Sequence, residues 1–253
     1  MIEQITKSFG GLFALNECSF EVRKDSITGL IGPNGSGKTT LFDIITGFYR
    51  ADIGKIFFKN RDISNMEPYK IMQQGIVRTF QITRVFPGLT VMGNMLYSPK
   101  NQCGEKLLNV FFSPIKIMKQ DKLNRGRAEE LLEIVGLAAL GEEYAGRLSY
   151  GQQKLLELAR ALITNPDIIL LDEPAAGVNP TMLKKLSKVI YDLNRRGKAF
   201  LIIEHNMKFI MEIAHKIVVL NHGKKIVEDS PDCIQRNPEV IKAYLGTTYD
   251  FGS

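Results

Sequence analysis

The chain has little cysteine and no long apolar run. Its 253 residues include three cysteines, Cys18, Cys103 and Cys233. The number is odd and no two of them share a C-x-x-C spacing, which argues against a disulfide framework and against a zinc site, and favours reduced cytosolic thiols. No stretch approaches 18 consecutive apolar residues, and no basic segment followed by an apolar run opens the sequence, so we expect neither a membrane span nor a signal peptide. Any role at a membrane therefore requires a partner.

Neither hydrophobicity nor charge is extreme. Hydrophobic residues make up 44% of the chain and charged residues 24%, close to the averages of globular proteins, so we do not expect disorder. The length of 253 residues predicts one large domain or two modest ones. The net charge is +6. This charge fits binding to phosphates, to nucleic acid or at an anionic membrane face, and it does not distinguish between these three kinds of partner.

Short apolar runs rich in β-branched residues alternate with helical patterns, which indicates an α/β fold with a mainly parallel sheet. Four continuous apolar runs are predicted as strands buried on both faces: Ile27–Ile31, Ile168–Leu171, Ala199–Ile203 and Lys216–Leu220. A loop containing Gly223 separates the last of them from the apolar run Lys225–Val227. This spacing predicts a β-hairpin.

The middle of the chain has a different pattern. Between Thr90 and Arg160 the strand pattern fades, and Ala128–Val135 and Gln152–Ile163 carry apolar residues at three- and four-residue spacing. We predict a helical subdomain at residues 88–163, inserted in an α/β core of residues 1–87 and 164–228, with a helical tail at residues 229–253. The segment Lys100–Lys122 is basic and partly apolar, and we predict no role for it.

A glycine-rich segment between a predicted strand and a predicted helix carries the strongest signal. It fits G-x-x-x-x-G-K-[ST], the pattern of a phosphate-binding loop. Glycines let backbone N–H groups approach phosphates, the helix N-terminus adds its positive dipole end, the lysine adds a charge, and the hydroxyl can ligate Mg²⁺. The predicted nucleotide-binding residues of this segment are Gly32, Pro33, Asn34, Gly35, Ser36, Gly37, Lys38, Thr39 and Thr40.

Two further strands end in polar residues. Asp172 and Glu173 close the apolar run Ile168–Leu171, and His205 follows the run Ala199–Ile203. Because the carboxyl ends of parallel strands form the ligand edge of such sheets, Asp172 is predicted to hold Mg²⁺ and Glu173 to activate water as a general base. His205 is predicted to lie where a γ-phosphate would be bound.

The segment Leu148-Ser149-Tyr150-Gly151-Gln152-Gln153 decides the family. It resembles the signature L-S-G-G-Q of the ABC ATPases, with Tyr150 in place of the first glycine. The resemblance covers the whole chain and implies a P-loop NTPase core with an N-terminal antiparallel β region and a helical insert, together with ATP and Mg²⁺. It also implies that Gln81 senses the metal and the γ-phosphate, and that Gln81 binds the metal together with Thr39 and Asp172. Phe9 would stack on adenine. Phe9 is otherwise read as a core strand residue, and Gln81 as a polar residue before a turn.

In this family two such domains face head to tail around two ATP molecules. The resemblance therefore implies that Ser149, Gly151 and Gln152 contact the nucleotide bound by a second ATPase subunit. Besides Tyr150, one further departure from the family pattern bears on the dimer. Asn179 stands where an aspartate usually crosses the dimer, which keeps the shape, loses the charge and would weaken coupling between the two hydrolysis sites.

Several stretches resemble a narrower group, the high-affinity branched-chain amino acid importers of bacteria and archaea. They are Thr46–Arg50, Arg78–Gln81, Phe86–Val91, the signature Leu148–Gln153, Asp172–Gly177, and the ending from Asn237–Val240 to Ala243–Gly246. The resemblance implies transmembrane permease partners, a homo- or heterodimer of ATPases, no nucleic acid, and a peripheral location at the cytoplasmic face of the inner membrane. Urea-type importers, lipopolysaccharide-export ATPases, and soluble translation or DNA-repair ATPases of the same superfamily stay open as alternatives.

Overall fold

The computed structural model describes residues 1–79, 85–98 and 114–244. The chain separates into two compact units. The first comprises residues 1–81, 166–176 and 190–253, and the second comprises residues 82–165 and 177–189. The three-part division predicted from the sequence stays a prediction.

Two β-sheets build the first unit. An antiparallel sheet has the order β2-β1-β4-β5 and a six-stranded sheet has the order β10-β9-β3-β8-β7-β6. The strands of the first sheet are β1 (Ile2–Phe9), β2 (Leu12–Phe20), β4 (Ile53–Phe58) and β5 (Arg61–Asp62). Those of the second are β3 (Ile27–Ile31), β6 (Ile76–Arg78), β7 (Ile168–Asp172), β8 (Ala199–Ile203), β9 (Lys216–Asn221) and β10 (Lys224–Asp229). Within the six-stranded sheet only the hairpin of β9 and β10 is antiparallel.

The predicted fold class is confirmed, because the sheet is mainly parallel and an antiparallel β region accompanies it. The four predicted strands and the hairpin are all present. Every residue of β3 and β8 is buried, as their continuous apolar runs require. Side chains from both sheets and from the first helix form one core, to which Ile5, Phe42, Leu170 and Leu201 contribute.

The described helices are distributed over both units. They are α1 (Lys38–Ile45), α2 (Pro68–Gln74), α3 (Val91–Leu96), α4 (Pro114–Val135), α5 (Tyr150–Leu162), α6 (Pro180–Arg195), α7 (Met207–Ile213), α8 (Pro231–Arg236) and α9 (Pro238–Tyr244). Short 3₁₀ turns cover Ala138–Leu140 and Ala145–Arg147. None of the helices in the described part of the chain is long and apolar enough to cross a membrane.

The second unit is helical, and α3, α4 and α5 pack on one another within it. Helix α4 begins at Pro114, well before the predicted start at Ala128. Its first turns carry exposed Ile115, Met118 and Leu123 among lysines, so no apolar periodicity marked them as helical. Of the segment Lys100–Lys122, residues 100–113 lie outside the described part of the structure.

Candidate functional site

The carboxyl ends of three parallel strands lie side by side in the first unit. Ile203, at the end of β8, is level with Leu30 of β3 on one side and with Asp172 of β7 on the other. The segments that follow these strands begin with Gly32, Glu173 and Glu204. This register brings the three polar segments predicted from sequence to one edge of the sheet, where ligands of α/β proteins bind.

The phosphate loop closes around the ammonium group of Lys38. Lys38 Nζ donates to the carbonyl oxygens of Gly32, at 2.8 Å, and Pro33, at 2.9 Å. Burial lowers the pKa of Lys38 to about 8, against the opposing effect of the nearby Glu173 and Asp172 carboxylates. Helix α1 begins at this lysine, so its first N–H groups and a cation point to the same place, as binding of a phosphate group requires.

Two glycines of this loop cannot be replaced without displacing backbone. A Cβ at Gly32 (φ +151°) would lie 2.1 Å from the carbonyl oxygen of Leu220, and one at Gly37 (φ +101°) would lie 2.4 Å from that of Ala14. Both contacts are shorter than van der Waals distance and involve main chain, so a side chain there would force the loop open. The sequence requirement for glycine is therefore steric as well as conformational.

Asp172 is held by a buried arginine. Arg78 Nη2, at the end of β6, lies 2.8 Å from Asp172 Oδ2, and Arg78 Nη1 lies 2.5 Å from Asp43 Oδ1 on α1. The side chains of Arg78 and Asp172 are each 7% exposed. One guanidinium therefore fixes the carboxylate predicted to bind the metal and ties it to the helix that begins in the phosphate loop.

Glu173 and His205 are in direct contact. Glu173 Oε1 lies 3.0 Å from His205 Nε2. Burial lowers the pKa of His205, and the Lys38 ammonium lowers it further, while the Glu173 carboxylate opposes both. A neutral imidazole donates its Nε2–H to the carboxylate. Glu173 adopts φ +49°, a left-handed conformation that costs energy in a residue other than glycine and is typical of functional sites.

The start of helix α5 is the signature segment, in the second unit. Ser149 is its N-cap: the Ser149 hydroxyl accepts from the N–H of Gln152, and the Gln152 side chain accepts from the N–H of Ser149 at 2.8 Å. This capping box leaves the remaining N–H groups of the first turn without helical partners. Gly151 is buried, and a Cβ there would approach Met182 to 3.1 Å. The helix starts two residues before the predicted Gln152, because Ser149 caps it.

Other predicted residues have distinct environments. Phe9 is 44% exposed and meets Tyr49 edge to face, at 5.4 Å between ring centroids, so it is not a core residue. Asn34, Gly35 and Thr39 are exposed, as a loop that meets a ligand requires. Asn179 caps α6, since its Oδ1 accepts from the N–H of Met182 at 2.9 Å. Gln81 lies outside the described residues.

The described residues fit a magnesium site completed by substrate. Among them no group of three or more His, Cys, Asp or Glu side chains could hold a metal ion alone. Mg²⁺ is commonly bound through one or two carboxylates together with substrate phosphates and water. Asp172 beside the phosphate loop, with the Thr39 hydroxyl, matches that kind of site.

Comparison with known proteins agrees with this geometry. The family model described as ABC transporter matches residues 15–176, and the model described as branched-chain amino acid ATP-binding cassette transporter matches residues 224–250. The chain belongs to the ATP-binding cassette family of ABC transporters. This cassette is therefore an ATPase of the kind that powers transport.

Relatives of the cassette cover nearly its whole length. The high-affinity branched-chain amino acid transport ATP-binding protein LivG of Salmonella typhimurium is 41% identical over 94% of both chains. A probable counterpart from Archaeoglobus fulgidus is 40% identical over 96% of this chain and 94% of its own. The crystal structure of an ABC transporter cassette in its ADP conformation has a TM-score of 0.83 and 38% identity, and covers 97% of each chain.

Two charged residues of the site carried no predicted role. The side chains of Arg78 and Glu204 are both buried; Arg78 ends β6 and Glu204 directly follows β8. Glu204 accepts hydrogen bonds from the N–H groups of Ala175, His205 and Asn206. A charged residue directly after an apolar run is the signal that identified Asp172 and Glu173, and the same signal was present at Glu204.

Proposed function

We propose that this cassette is the ATP-hydrolysing subunit of an importer for branched-chain amino acids. The proposal of ATP hydrolysis rests on the contact of Glu173 with His205, close to Lys38. The substrate class is supported by the names of the relatives and by the match of residues 224–250 to a model for branched-chain amino acid cassettes. Substrate selection itself would belong to the permease and not to this subunit.

The proposed reaction is hydrolysis of the γ-phosphate of ATP. Lys38 and the N–H groups at the start of α1 hold the β- and γ-phosphates. Glu173 accepts a proton from the attacking water, while His205 holds the Glu173 carboxylate through its Nε2–H. As the water oxygen bonds to the γ-phosphorus, the bond from phosphorus to the bridging oxygen breaks and ADP leaves.

The metal would be held by Asp172, Thr39 and Gln81. When bound, Mg²⁺ would neutralise charge on the phosphate oxygens. Arg78 keeps Asp172 in one orientation at the sheet edge. Phe9, exposed on β1, offers a ring face on which the adenine of the substrate can stack.

A second ATPase subunit would complete the nucleotide site. The N-terminus of α5, with Ser149, Gly151 and Gln152, carries a positive dipole end and N–H groups that suit a γ-phosphate bound by the other subunit. The dimer can consist of two copies of this chain or of this chain with a related ATPase. We place it at the cytoplasmic face of the inner membrane, attached through permease subunits and without nucleic acid.

The segment 85–97 of the second unit is the proposed permease contact. Phe86 and Leu89 are partly exposed apolar residues, 37% and 40% respectively. The buried Asn94 fixes their loop: its Oδ1 accepts from the N–H of Phe86 at 2.8 Å, and its Nδ2 donates to the carbonyl oxygens of Phe86 and Thr90, both at 3.0 Å. A rigid loop that presents apolar side chains suits the apolar face of a partner helix.

The test is reconstitution in two steps. Affinity-tagged cassette is purified from membranes, and co-purifying multispanning proteins are identified by mass spectrometry. The complex is then reconstituted in vesicles to measure ATP-dependent uptake of leucine, isoleucine, valine and urea. We expect uptake of the three amino acids and none of urea, with the Lys38→Ala variant inactive.

Surface variants test the contact itself. Phe86→Glu with Leu89→Glu should abolish co-purification and uptake but leave the ATPase activity of the isolated subunit within about twofold, because surface substitutions away from the site rarely disturb folding. Met118→Glu on α4, where the side chain is exposed, is the matched control and should change neither. ATPase without any permease would favour a soluble translation or DNA-repair ATPase, and uptake of urea alone would favour a urea-type importer.

A further inference from the structure

Glu204 is a buried carboxylate that the hydrolysis described above does not use. It follows β8 directly and is 2% exposed. None of the ion pairs among the described residues involves Glu204. Burial raises the pKa of Glu204 to about 7, although three backbone N–H groups act in the opposite direction. A buried carboxyl group without a cationic partner is costly, so these hydrogen bonds must account for its position.

The three hydrogen bonds divide between two loops. Glu204 Oε1 accepts from the N–H of Ala175 at 2.6 Å, and Oε2 accepts from those of His205 and Asn206, both at 3.0 Å. Ala175 lies two residues after Glu173 in the chain. The carboxylate therefore joins the loop that carries Glu173 to the loop that carries His205.

The two loops also meet at their functional side chains. Glu173 Oε1 and His205 Nε2 are 3.0 Å apart, and Glu173 has the strained φ of +49°. Such a backbone conformation persists only where surrounding contacts impose it. The N–H of Glu173 donates to the carbonyl oxygen of Ile203 at 3.0 Å, which fixes one side of this residue. The bond from Ala175 to Glu204 fixes the other.

We propose that Glu204 is a positioning residue for ATP hydrolysis, which sets the contact between Glu173 and His205 by accepting backbone hydrogen bonds from both of their loops. The inference rests on the proposed roles of Glu173 and His205. Only a carboxylate has acceptor oxygens on both sides. Glutamine at this position would place its NH₂ group against an N–H donor on one side and would release that loop.

The test compares Glu204→Gln with wild type in the full-length purified chain. A displacement of about 1 Å at the reacting groups can reduce turnover about a hundredfold. We expect kcat to fall about 10- to 100-fold. The KM for ATP and the affinity for a fluorescent ATP analogue should stay within about twofold, because Lys38 and its loop are unchanged. Glu204→Asp keeps the charge but is too short to reach both loops, so it should lower kcat to the same extent. It replaces Glu204→Gln as the test variant if the glutamine variant folds poorly.

A double variant separates positioning from simple stabilisation. If Glu204 acts through Glu173, then Glu204→Gln should reduce single-turnover hydrolysis by less than about twofold in a Glu173→Gln background. The matched control is Glu228→Gln, which removes a carboxylate paired with Lys216 and Lys225 in the same unit. It should change Tm and leave kcat unaltered.

Three results would overturn the proposal. They are an unchanged kcat in Glu204→Gln with only a lower Tm, an equal loss of rate in the Glu173→Gln background, and full activity of Glu204→Asp. A different result would count against the proposed function instead. If Glu173→Gln by itself hydrolyses ATP at the wild-type rate, Glu173 is not the base, whatever Glu204 does.

Discussion

Arg78 and Asp172 form an ion pair between the ends of two adjacent strands, at 2.8 Å between Nη2 and Oδ2, with both side chains 7% exposed. They are 94 positions apart in the chain. The second terminal nitrogen of Arg78 contacts Asp43 of α1. A single planar guanidinium thus connects β6, β7 and the helix of the phosphate loop, and a point charge cannot reproduce that fork.

We first predict that loss of this arginine destabilises the fold. Arg78→Ala leaves the buried Asp172 and the partly exposed Asp43 without their cation, and removal of one partner of a buried pair costs about 3–5 kcal/mol. Arg78→Lys should recover part of this loss, since one ammonium cannot contact both carboxylates equally. Urea unfolding measures the effect. Adding Asp43→Asn to Arg78→Ala should reduce the cost, and a wild-type unfolding midpoint for Arg78→Ala would show that the pair does not stabilise the unit.

The second prediction concerns the proposed base. Glu173→Gln should bind ATP normally and hydrolyse it about 10²–10⁴-fold more slowly, because the amide keeps the size and cannot accept the proton. Gel filtration with ATP should then show a stable dimer. Lys38→Ala is the control, since it should fail to bind ATP and stay monomeric. Wild-type turnover of Glu173→Gln with monomers alone would contradict both the base and the dimer.

The third prediction concerns the contact between Gly177 and Tyr150, the residue that replaces the first glycine of the family signature. A Cβ at Gly177 (φ +70°) would lie 3.1 Å from Cε1 of the Tyr150 ring. Gly177→Ala should destabilise the protein by about 1–3 kcal/mol through backbone strain, with the ring contact in addition. In a Tyr150→Gly background the same change should cost at least about 0.5 kcal/mol less. Unfolding of the four proteins in urea measures this coupling, and equal costs in both backgrounds would mean that the ring does not restrict this position.

The fourth prediction concerns the cysteines. Cys18 is fully buried, and burial raises the pKa of its thiol to about 12, whereas Cys233 is exposed. Iodoacetamide at pH 8 should therefore alkylate Cys233 in the native protein and Cys18 only after denaturation, since the thiolate is the nucleophile. Peptide mass spectrometry distinguishes the two sites. Alkylation of native Cys18 at the rate of Cys233 would contradict the burial.

Because the pKa of Cys18 is raised in the folded protein, the free energy of unfolding should fall as pH rises. An unfolded thiol ionises near a pKa of about 8.5, so the contribution of Cys18 is fully present below that pH. It is lost as pH rises towards the folded value of about 12. The free energy of unfolding should decline above about pH 9. Cys18→Ala is less stable at every pH because it loses packing, but its further decline above about pH 9 should be smaller.

The sequence by itself determined the elements that depend on local pattern. Continuous apolar runs predict strands buried on both faces, and β3, β7, β8 and β9 are such strands. The glycine-rich segment from Gly32 needs only its own residues and the flanking strand and helix to be identified. Ser149 and Gln152 form a capping box within four consecutive positions, although apolar spacing alone predicted a helix start at Gln152. Such features are local, because each is specified by neighbours within a few residues.

Only the tertiary structure decided the partners of the charged groups around the site. Arg78 contacts Asp172, and Glu204 accepts from the N–H of Ala175, 29 residues away in the chain. In the sequence each of these side chains is an ordinary charged residue at, or directly after, the end of a strand. What they contact depends on the order and register of the parallel strands, since that order brings distant strand ends to one edge. The sequence predicts the roles of Glu173 and His205, whereas the contacts that hold these two residues in place follow from the order of the strands in the sheet.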